Sequence, residues 1–460
     1  MLEKVKENKD VIYKKTKGNC EIYYQEQLCN ILEFMKDFYP RLEANYNEDI
    51  SDLFPGICKK IESDEKQILQ LIFSGIMVLF RNKQYYAIDL SKAPSRPTSD
   101  SIAEPDNIMG SRDGFVENIK ENIALLRTRI KDDELVIDNL TIGRRSKTIV
   151  SLLSINDIHD TKIKDAILKK LKNIDIDAII SVEDLMAYFQ GKNIFPVYHY
   201  IGNPDTAVRR LYDGEFMIVI DRICVVIMIP TTLAYTSRLK IDGLNIPFFA
   251  GLERFFILFS AFVSIFMCGI FCSFVTIQKN SLSLMVLSTL KVSQTGVYLP
   301  IFIEILIILG LFELYYLIGF RQARMTVSST IVLIGGLIIG QNLISSGIAG
   351  VFIMTITAIC YLMSFIVSTN VNTIVSISIS RVFVLLSSLV YGLFGVILAS
   401  IILGCYLYKQ ESMGVPYFYP FAPFDEVGIW NFFMPSSSLK NKKRSKILNV
   451  NNKFRRNKND

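Results

Sequence analysis

The sequence predicts an α+β soluble N-terminal region of two subdomains, followed by an all-α polytopic membrane domain. Half of the 460 residues are hydrophobic and the mean hydropathy is +0.33, yet one residue in five is charged. Charged residues occur throughout the chain before Pro247 and become sparse from Phe255 to Tyr408, where Ile, Leu, Val, Phe, Gly and Ser dominate. A soluble part and a membrane part joined end to end explain this division.

The first part of the soluble region predicts a β-hairpin and a helix. Two apolar runs, 76–80 and 85–90, flank the polar sequence Arg-Asn-Lys-Gln, which is typical of two strands joined by a turn. A helix is predicted to begin at Asp113-Gly114, because apolar residues then recur at three-four spacing as far as Ile130. Residues 1–60 show only weak periodicity and receive no fold assignment.

The second part predicts helices and another hairpin. Residues 161–171 have the spacing of an amphipathic helix, and Ser181 with Asp184 has the pattern of a capping box. The stretch 215–230 has the apolar content of a membrane helix. Because Asp221-Arg222 divides it into two short runs, strand, turn, strand is favoured. The predicted units are 1–60 as an N-terminal extension, 61–150 as subdomain 1 and 151–245 as subdomain 2.

Residues 246–410 form the predicted membrane domain, because a span needs roughly 20 apolar residues to cross ~30 Å of hydrocarbon. Five helices are predicted: 255–277, 297–320, 327–346, 348–367 and 382–408. Arg254 and Arg381 favour the inner face, but five crossings put the C-terminal tail outside. This conflict is resolved if 281–290 or 414–433 re-enters the membrane, or if one apparent hairpin does not cross fully.

Two further segments follow the last predicted span. Residues 411–436 contain, between Gly414 and Phe424, three prolines and five aromatic residues, which predicts an interfacial segment at the lipid headgroups rather than a regular helix. Residues 437–460 carry nine Lys or Arg and one acid, which predicts a basic, disordered tail. Anionic lipid headgroups, and not nucleic acid, are its expected partner.

The remaining polar residues predict neither an enzyme nor a cofactor or metal site. There are only two histidines, the eight cysteines form no CxxC pair, and no GxSxG or P-loop pattern occurs. The hydrophilic N-terminal sequence has none of the apolar run of a secretion signal. The soluble region is therefore expected in the cytoplasm.

Polar groups within the membrane domain are the candidate functional residues. Glu304 and Glu313 lie nine residues apart in one predicted span, so they point in roughly opposite directions, and ionisable groups there commonly face a bundle interior or water. Thr330, Gln341 and Ser345 share one side of the third predicted span and form a candidate pore lining. The alternative is that these Gly- and Ser-rich surfaces only pack against other helices.

Several motifs, in order, resemble the A subunit of GerA-type spore germinant receptors. They are Glu104–Asp106, 111–132, 143–148, 174–177, 195–196, 203–205, 213–214, GGLIIGQ at 335–341 and GVPYFYPFAP at 414–423. Two departures from the family pattern are SRDGF at 111–115, in place of Pro-Arg-Glu-Gly-Phe, and the absence of a Glu-Ala pair and of proline in 315–326. The resemblance implies structural roles for Arg112, Gly114, Phe115, Asn122, Arg127, Arg129, Gly143, Ser146, Gly340, Gly414, Pro416, Tyr417, Pro420 and Pro423.

The resemblance also implies a function that the residues alone do not name. It implies a multi-pass subunit of the inner spore membrane that works with B and C subunits, responds to small nutrients bound mainly by the B subunit, and oligomerises into a ligand-gated cation channel. Two alternatives stay open. One is an accessory or scaffold member of the same family without nutrient sensing, and the other is a secondary transporter, although no internal membrane repeat is evident.

Overall fold

A computed structural model describes residues 11–16, 20–45, 50–54, 58–61, 65–82, 84–90, 113–233, 247–321, 340–368 and 370–433, with Arg444, Leu448 and Asn452. Within these residues the predicted fold class is confirmed, because two antiparallel sheets with helices precede a set of apolar helices. The predicted site residues Arg112 and Thr330 lie outside the described residues, as do 327–339 of the third predicted span.

The first sheet has the strand order β1-β2-β4-β5-β3, and all neighbouring strands are antiparallel. Its strands are β1 (Val11–Lys15), β2 (Glu21–Gln25), β3 (Cys58–Ile61), β4 (Ile76–Arg81) and β5 (Gln84–Asp89). Its helical segments are Ile31–Glu33, the π-helix Phe34–Phe38, α1 (Tyr39–Ala44), α2 (Ile50–Leu53) and α3 (Glu65–Phe73). The predicted hairpin is β4–β5, and three strands come from the unassigned segment 1–60 or its immediate end.

Both faces of this sheet are covered. Ile22 and Leu79 belong to the apolar cluster on one face, whereas their chain neighbours Tyr23 and Val78 belong to the cluster on the other. Successive side chains of a strand point to opposite faces, so a sheet that is buried on both sides needs continuous apolar runs. The run Ile76–Phe80 meets this requirement.

The second sheet has the order β6-β7-β9-β10-β8 and is also fully antiparallel. Its strands are β6 (Leu135–Ile142), β7 (Thr148–Ile155), β8 (His199–Ile201), β9 (Phe216–Ile220) and β10 (Val226–Ile229). The helices are α4 (Ile119–Arg129), α5 (Thr161–Lys172), α6 (Val182–Gln190) and α7 (Pro204–Asp213). If the strands of each sheet are numbered from one, both sheets have the order 1-2-4-5-3. The soluble region therefore contains the same sheet topology twice.

Local signals in the sequence account for these elements. The capping box at Ser181 and Asp184 is present, and 215–230 is the strand pair β9–β10 and not a membrane helix. The α4 helix, however, begins at Ile119, five residues after the predicted start at Gly114, because Asn118 accepts a hydrogen bond from the Lys120 amide and caps it.

The division between the two units differs from the predicted one. The predicted boundary between residues 150 and 151 falls inside β7, which pairs with β6 along eight residues. The side chains of α4, β6 and β7 also belong to the core of the second sheet. The second unit therefore begins at or before α4, because a hairpin and the helix that covers it cannot be divided between two cores.

The apolar helices are α8 (Pro247–Thr276), α9 (Leu284–Ser293), α10 (Ile301–Arg321), α11 (Val351–Val367), α12 (Val371–Tyr391) and α13 (Leu393–Lys409). A 3₁₀ turn, Lys279–Ser281, precedes α9, and residues 340–345 are helical. By length and composition, α8, α10 and α12 are sufficient to cross a membrane, whereas α9, α11 and α13 are shorter. After α13 come the short strands β11 (Glu411–Ser412) and β12 (Val415–Pro416), then α14 (Glu426–Phe433).

The last predicted span, 382–408, is wrong. The structure has two helices in this part of the chain, α12 and α13, which meet at Gly392. Gly392 has φ +59°, a left-handed conformation that L-residues with a side chain rarely adopt, and the turn packs beside Ile277 at the end of α8. Residues 371–381, which precede the predicted span, form the first half of α12.

The end of α13 and the described residues after it contact the soluble region. The end of α13 contacts the soluble region, because the Ile194 amide donates a hydrogen bond of 2.6 Å to the Tyr406 hydroxyl. Farther along, Asn452 bonds to Asp157, and Leu448 is buried in the core of the second sheet. Leu448 and Asn452 therefore pack against the soluble region, whereas the tail is predicted to be disordered.

Candidate functional site

The connection between the second sheet and the end of α13 is the best-defined polar site. We call it the junction: Phe195, Val197 and Thr231 on the soluble side, with Gln410, Ser412 and Tyr417 after α13. The buried Ser412 hydroxyl donates to the Val197 carbonyl (2.6 Å) and accepts from the Thr231 amide (3.2 Å). The buried Gln410 side chain donates to the Phe195 carbonyl (2.6 Å).

Backbone and ring contacts close the junction. The Tyr417 amide donates to the Gln410 carbonyl (2.9 Å), and its carbonyl accepts from the Leu233 amide (2.8 Å). The Tyr417 ring is 1% exposed and lies 6.1 Å from the Phe195 ring, centroid to centroid. Val415 is part of the second sheet's core. The segment after α13 is therefore an integral part of the second soluble unit.

The structure adds protein contacts to the segment 411–436, whose position at the lipid headgroups stays a prediction. Gly414, with φ +82°, lets β11 and β12 form a tight hairpin, and Pro416 pairs with Glu411 within it. Pro420 and Pro423 both follow cis peptide bonds. Aromatic and proline side chains of this segment fill the space between protein elements, which is a use that composition does not distinguish from a headgroup belt. Phe424 and Trp430 do remain largely exposed.

The start of α12 is attached to the same part of the soluble region. Asn372 donates to the Tyr198 hydroxyl (3.3 Å), and the Ser376 hydroxyl donates to the Ile194 carbonyl (2.7 Å). Since Ile194 also bonds to Tyr406 of α13, the segment 194–198 holds one end of α12 and the opposite end of α13. A displacement of this segment would act on both helices at once.

A buried polar cluster lies behind the junction. Glu215 forms an ion pair with Arg210 (3.2 Å), and His199 lies 3.8 Å from Glu215 and 3.2 Å from the Thr231 hydroxyl. Burial lowers the pKa of His199 well below its ordinary value, and the positive charge of Arg210 lowers it further. His199 is therefore neutral at neutral pH and contacts Glu215 and Thr231 as an uncharged imidazole.

Arg381 is the functional candidate that the sequence interpretation missed. It had been placed at the membrane entrance of a span, but it lies in the middle of α12 and is 1% exposed. Its Nε donates to the Ser264 carbonyl (2.7 Å), and its Nη2 donates to the Ser264 hydroxyl (2.7 Å) and the Cys360 carbonyl (3.3 Å). Arg381 thus joins α8, α11 and α12, with the Tyr361 ring 5.5 Å away. A correct start for α12 would have revealed it.

The two predicted membrane glutamates have different surroundings. Glu304 is fully buried, and its Oε1 accepts a hydrogen bond from the Gly350 amide at the start of α11. Glu313 is half-buried and interacts electrostatically with Arg381. The structure therefore does not bring the two carboxyl groups together, in agreement with their spacing.

The other candidate pore residues lie at the surface of the single chain. Gln341 and Ser345 are both exposed, and the Ser345 hydroxyl bonds only locally, to the Asn342 carbonyl (3.2 Å). Gly340 is half-buried, and a β-carbon there would lie 3.4 Å from the Met354 methyl group. The structure thus places Gln341 and Ser345 outside the interior of the helices of one chain.

Comparison with known proteins gives the family. Residues 1–447 match the model of the Bacillus/Clostridium GerA spore germination protein. The chain belongs to the GerA family. It is 31% identical over 397 residues to spore germination protein XA of Bacillus anthracis, covering 85% of this chain and 80% of that protein. Its identity to spore germination protein B1 of Bacillus subtilis is 27% over 380 residues, covering 81% and 77%.

Two further relatives extend the comparison. Stage V sporulation protein AF of Bacillus subtilis is 24% identical over 462 residues, covering 95% of this chain and 90% of that protein. The crystal structure of the N-terminal domain of the A subunit of the Bacillus megaterium germinant receptor GerK3 is 24% identical, with a TM-score of 0.36, and covers 49% of this chain and 90% of that one. The family expected from the motifs is confirmed, and the relatives' names support a role of this GerA-family membrane protein in spore germination.

The GerA motif residues near α4 serve structural roles. The Phe115 ring is buried beside the buried Gly114, and its amide donates to the Gly202 carbonyl (3.0 Å). The Asn122 side chain bonds both backbone groups of Val116, at 2.8 and 2.6 Å. Arg129 forms ion pairs with Asp113 and Asp205, which fixes the start of this segment to α7.

Arg127 connects the two soluble units of this GerA-family chain. It is fully buried and donates to the carbonyls of Asp132 (2.8 Å) and Leu135 (2.8 Å). Its guanidinium lies 4.6 Å from the centroid of the Phe73 ring, which belongs to the first unit. A cation over an aromatic face is attractive, most of all where water is excluded.

The Gly143 motif forms the turn between β6 and β7. Gly143 has φ +97°, and a β-carbon there would lie 2.4 Å from the Ser146 hydroxyl oxygen. The Ser146 amide donates to the Asp177 carbonyl (3.2 Å), and its hydroxyl accepts from Thr148 (2.8 Å). These contacts fix the loop around Asp177 against the hairpin. Within the described residues, no group of three or more His, Cys, Asp or Glu can hold a metal ion.

Proposed function

We propose that the chain is a subunit of a nutrient germinant receptor in the inner spore membrane, and that it oligomerises into a ligand-gated cation channel. B and C subunits are its partners, and the B subunit binds most of the small nutrients. Membership of the GerA family over residues 1–447 carries the proposal. The soluble region then lies on the core side of the membrane, with the basic tail beside it.

The junction supports a mechanism for gating. Ser412 and Gln410 attach the end of α13 to the second sheet, while Ser376 attaches the start of α12 to the segment 194–198. Nutrient binding in the partner subunit changes the position of the soluble region, and this pair of attachments transmits the change to both helices. Packed helices respond by adopting one of two arrangements rather than by deforming continuously.

The exposed polar residues support an oligomer. Gln341 and Ser345 lie at the surface of a helix in a part of the chain that is otherwise compatible with lipid. Polar side chains are unfavourable against hydrocarbon, so they are expected to face water or a neighbouring subunit. In a ring of chains whose polar surfaces face a central axis, these side chains contact both water and the neighbouring subunits. They then line a path for monovalent cations.

The experiment compares spores that lack this protein with spores that carry Gln341→Leu. Deletion should remove the response to one class of nutrient among amino acids, sugars and salts. Gln341→Leu should change the rate of cation release after that nutrient while the amount of protein in the membrane stays normal. Gln341→Asn, which keeps the amide, is the matched control and should resemble the natural protein. Unchanged release in Gln341→Leu would count against this position of the path.

An accessory role is the second candidate function. The similarity to stage V sporulation protein AF supports it, because that relative is named for sporulation rather than for germination, and the alignment covers 95% of this chain and 90% of that protein. An accessory member assembles through its soluble units and does not sense a nutrient. Unchanged responses of the deletion strain to every nutrient, together with no co-purification of B and C subunits, would favour this function over the receptor.

A further inference from the structure

Glu304 lies at a point where three elements of the membrane domain meet. It is in the first turn of α10, next to the start of α11 and the end of α9. A β-carbon added at Gly350 would be 3.3 Å from Glu304 Oε1 and 3.1 Å from the Ser293 carbonyl oxygen. Glu304 Oε1 of α10 and the Ser293 carbonyl oxygen of α9 therefore both lie close to Gly350, at the start of α11.

The carboxyl group of Glu304 is only half satisfied. Its Oε1 accepts from the Gly350 amide, but Oε2 is sealed from solvent and has no hydrogen-bond partner among the described residues. A buried carboxylate that keeps its charge needs either an opposite charge or several hydrogen bonds. One amide at a helix N-terminus supplies only part of that requirement.

The elements packed around Glu304 supply no opposite charge among the described residues. No charged side chain occurs in 255–276 of α8, in α11 or in the segment 294–300. The only charged residue of α9 is Lys291, whose side chain is exposed. Arg381 bonds to Ser264 and Cys360 instead. Glu313, nine residues farther along α10, is also an acid and supplies no positive charge.

The packing also restricts which ligand can complete the site. Because Oε2 has no accessible surface, a hydrated metal ion does not fit beside it, whereas a proton does. We propose that Glu304 is a proton-binding site, neutral while α9, α10 and α11 are packed together. The protonated carboxyl group then carries no buried charge, so it needs no positive partner.

Proton release follows from separation of the helices. When α10 moves away from α11, water reaches Oε2, the O–H bond breaks, the electron pair stays on the oxygen and the proton passes to water. The packed arrangement therefore binds one more proton than the separated one at this site. The link to channel opening rests on the proposed function, whereas proton binding itself does not.

Infrared spectroscopy of the purified full-length protein in lipid vesicles tests proton binding. At neutral pH, the spectrum of the natural protein minus that of Glu304→Gln should contain the C=O stretch of a protonated carboxylic acid, which shifts in D₂O. Glu313→Gln is the matched control on the same helix and should leave this band in place. A difference spectrum that contains only ionised-carboxylate bands, or a band lost in Glu313→Gln instead, would overturn the proposal.

A second variant covers the case in which Glu304→Gln does not accumulate. Glu304→Asp keeps a carboxyl group on a shorter side chain, so the acid band should persist at a shifted frequency. An unshifted band would assign it to another residue and overturn the proposal.

In spores, Glu304→Gln should make nutrient-triggered cation release less dependent on external pH than in the natural protein. If the infrared band is present but the pH dependence is unchanged, the proton site stands and its link to opening is refuted.

Discussion

Ser412→Ala tests whether the junction is a tight attachment. The substitution removes one hydroxyl that is 1% exposed and bonded to both the Val197 carbonyl and the Thr231 amide. No other change in shape is required, since alanine fits where serine did. The two backbone groups then lose their partner in a site that water does not reach.

The magnitude follows from the cost of an unsatisfied buried group, which is about 1–3 kcal/mol each. With two such groups, the free energy of opening the junction should fall by about 2–6 kcal/mol. Since 1.4 kcal/mol corresponds to a factor of ten, the Thr231 amide should exchange with solvent roughly 30- to 20,000-fold faster.

Hydrogen–deuterium exchange read by mass spectrometry on the peptide containing Thr231 gives this rate for the full chain. Glu411→Ala is the matched control, because Glu411 is the neighbouring residue in β11 and its side chain is exposed. Exposed substitutions of this kind change stability by less than about 0.5 kcal/mol. Equal exchange rates in Ser412→Ala and Glu411→Ala would refute the argument that the Ser412 hydroxyl holds the junction closed.

Two further results are expected from the soluble region. Gly143→Ala should lower the thermal unfolding midpoint, because it puts a β-carbon at φ +97° and 2.4 Å from the Ser146 hydroxyl oxygen. Gly191→Ala is the control and should lower the midpoint less, because Gly191 has φ +56° but no atom within 4 Å of the added β-carbon. Equal shifts of the midpoint would show that steric overlap contributes nothing. Burial raises the pKa of the Cys29 thiol to about 11, so roughly one molecule in a thousand is thiolate at pH 8. Alkylation of Cys29 by iodoacetamide should therefore be slow, and its rate should rise about tenfold per pH unit. Rapid labelling of Cys29 in the folded protein at pH 8 would contradict this.

Some structural features were predictable because they depend on neighbouring residues alone. The hairpins β4–β5 and β9–β10 follow from short apolar runs around a polar turn, and the capping box at Ser181 needs only a residue three positions away. The strands β1 (Val11–Lys15) and β2 (Glu21–Gln25) were missed because each is only five residues long. The identity of β2 as a strand depends on its pairing with β4, more than fifty residues away in the chain, and that of β1 depends on its pairing with β2.

The candidate site was predictable only in part. Glu304 was recognisable from sequence because a carboxyl group in an apolar run is energetically unusual wherever the helix packs. Arg381 was not, because its role depends on its contacts with Ser264 and Cys360, which lie on other helices more than twenty residues away in the chain. The junction was hidden for the same reason: Ser412 and Val197 are 215 residues apart in the chain.

The sequence by itself determined the composition-driven properties of this protein: a charged α+β region, an apolar helical region and membership of a family recognisable from motifs. Hydrophobicity and local turn chemistry are written in short stretches of residues, so they need no knowledge of the fold. Only the tertiary structure decided that one apparent span is two helices, that the Pro- and aromatic-rich segment joins a soluble core, and which polar groups are left without partners. Those features depend on contacts between residues that are distant in the chain. Such a contact forms only after folding has brought both residues together, so neither residue's local sequence reveals it.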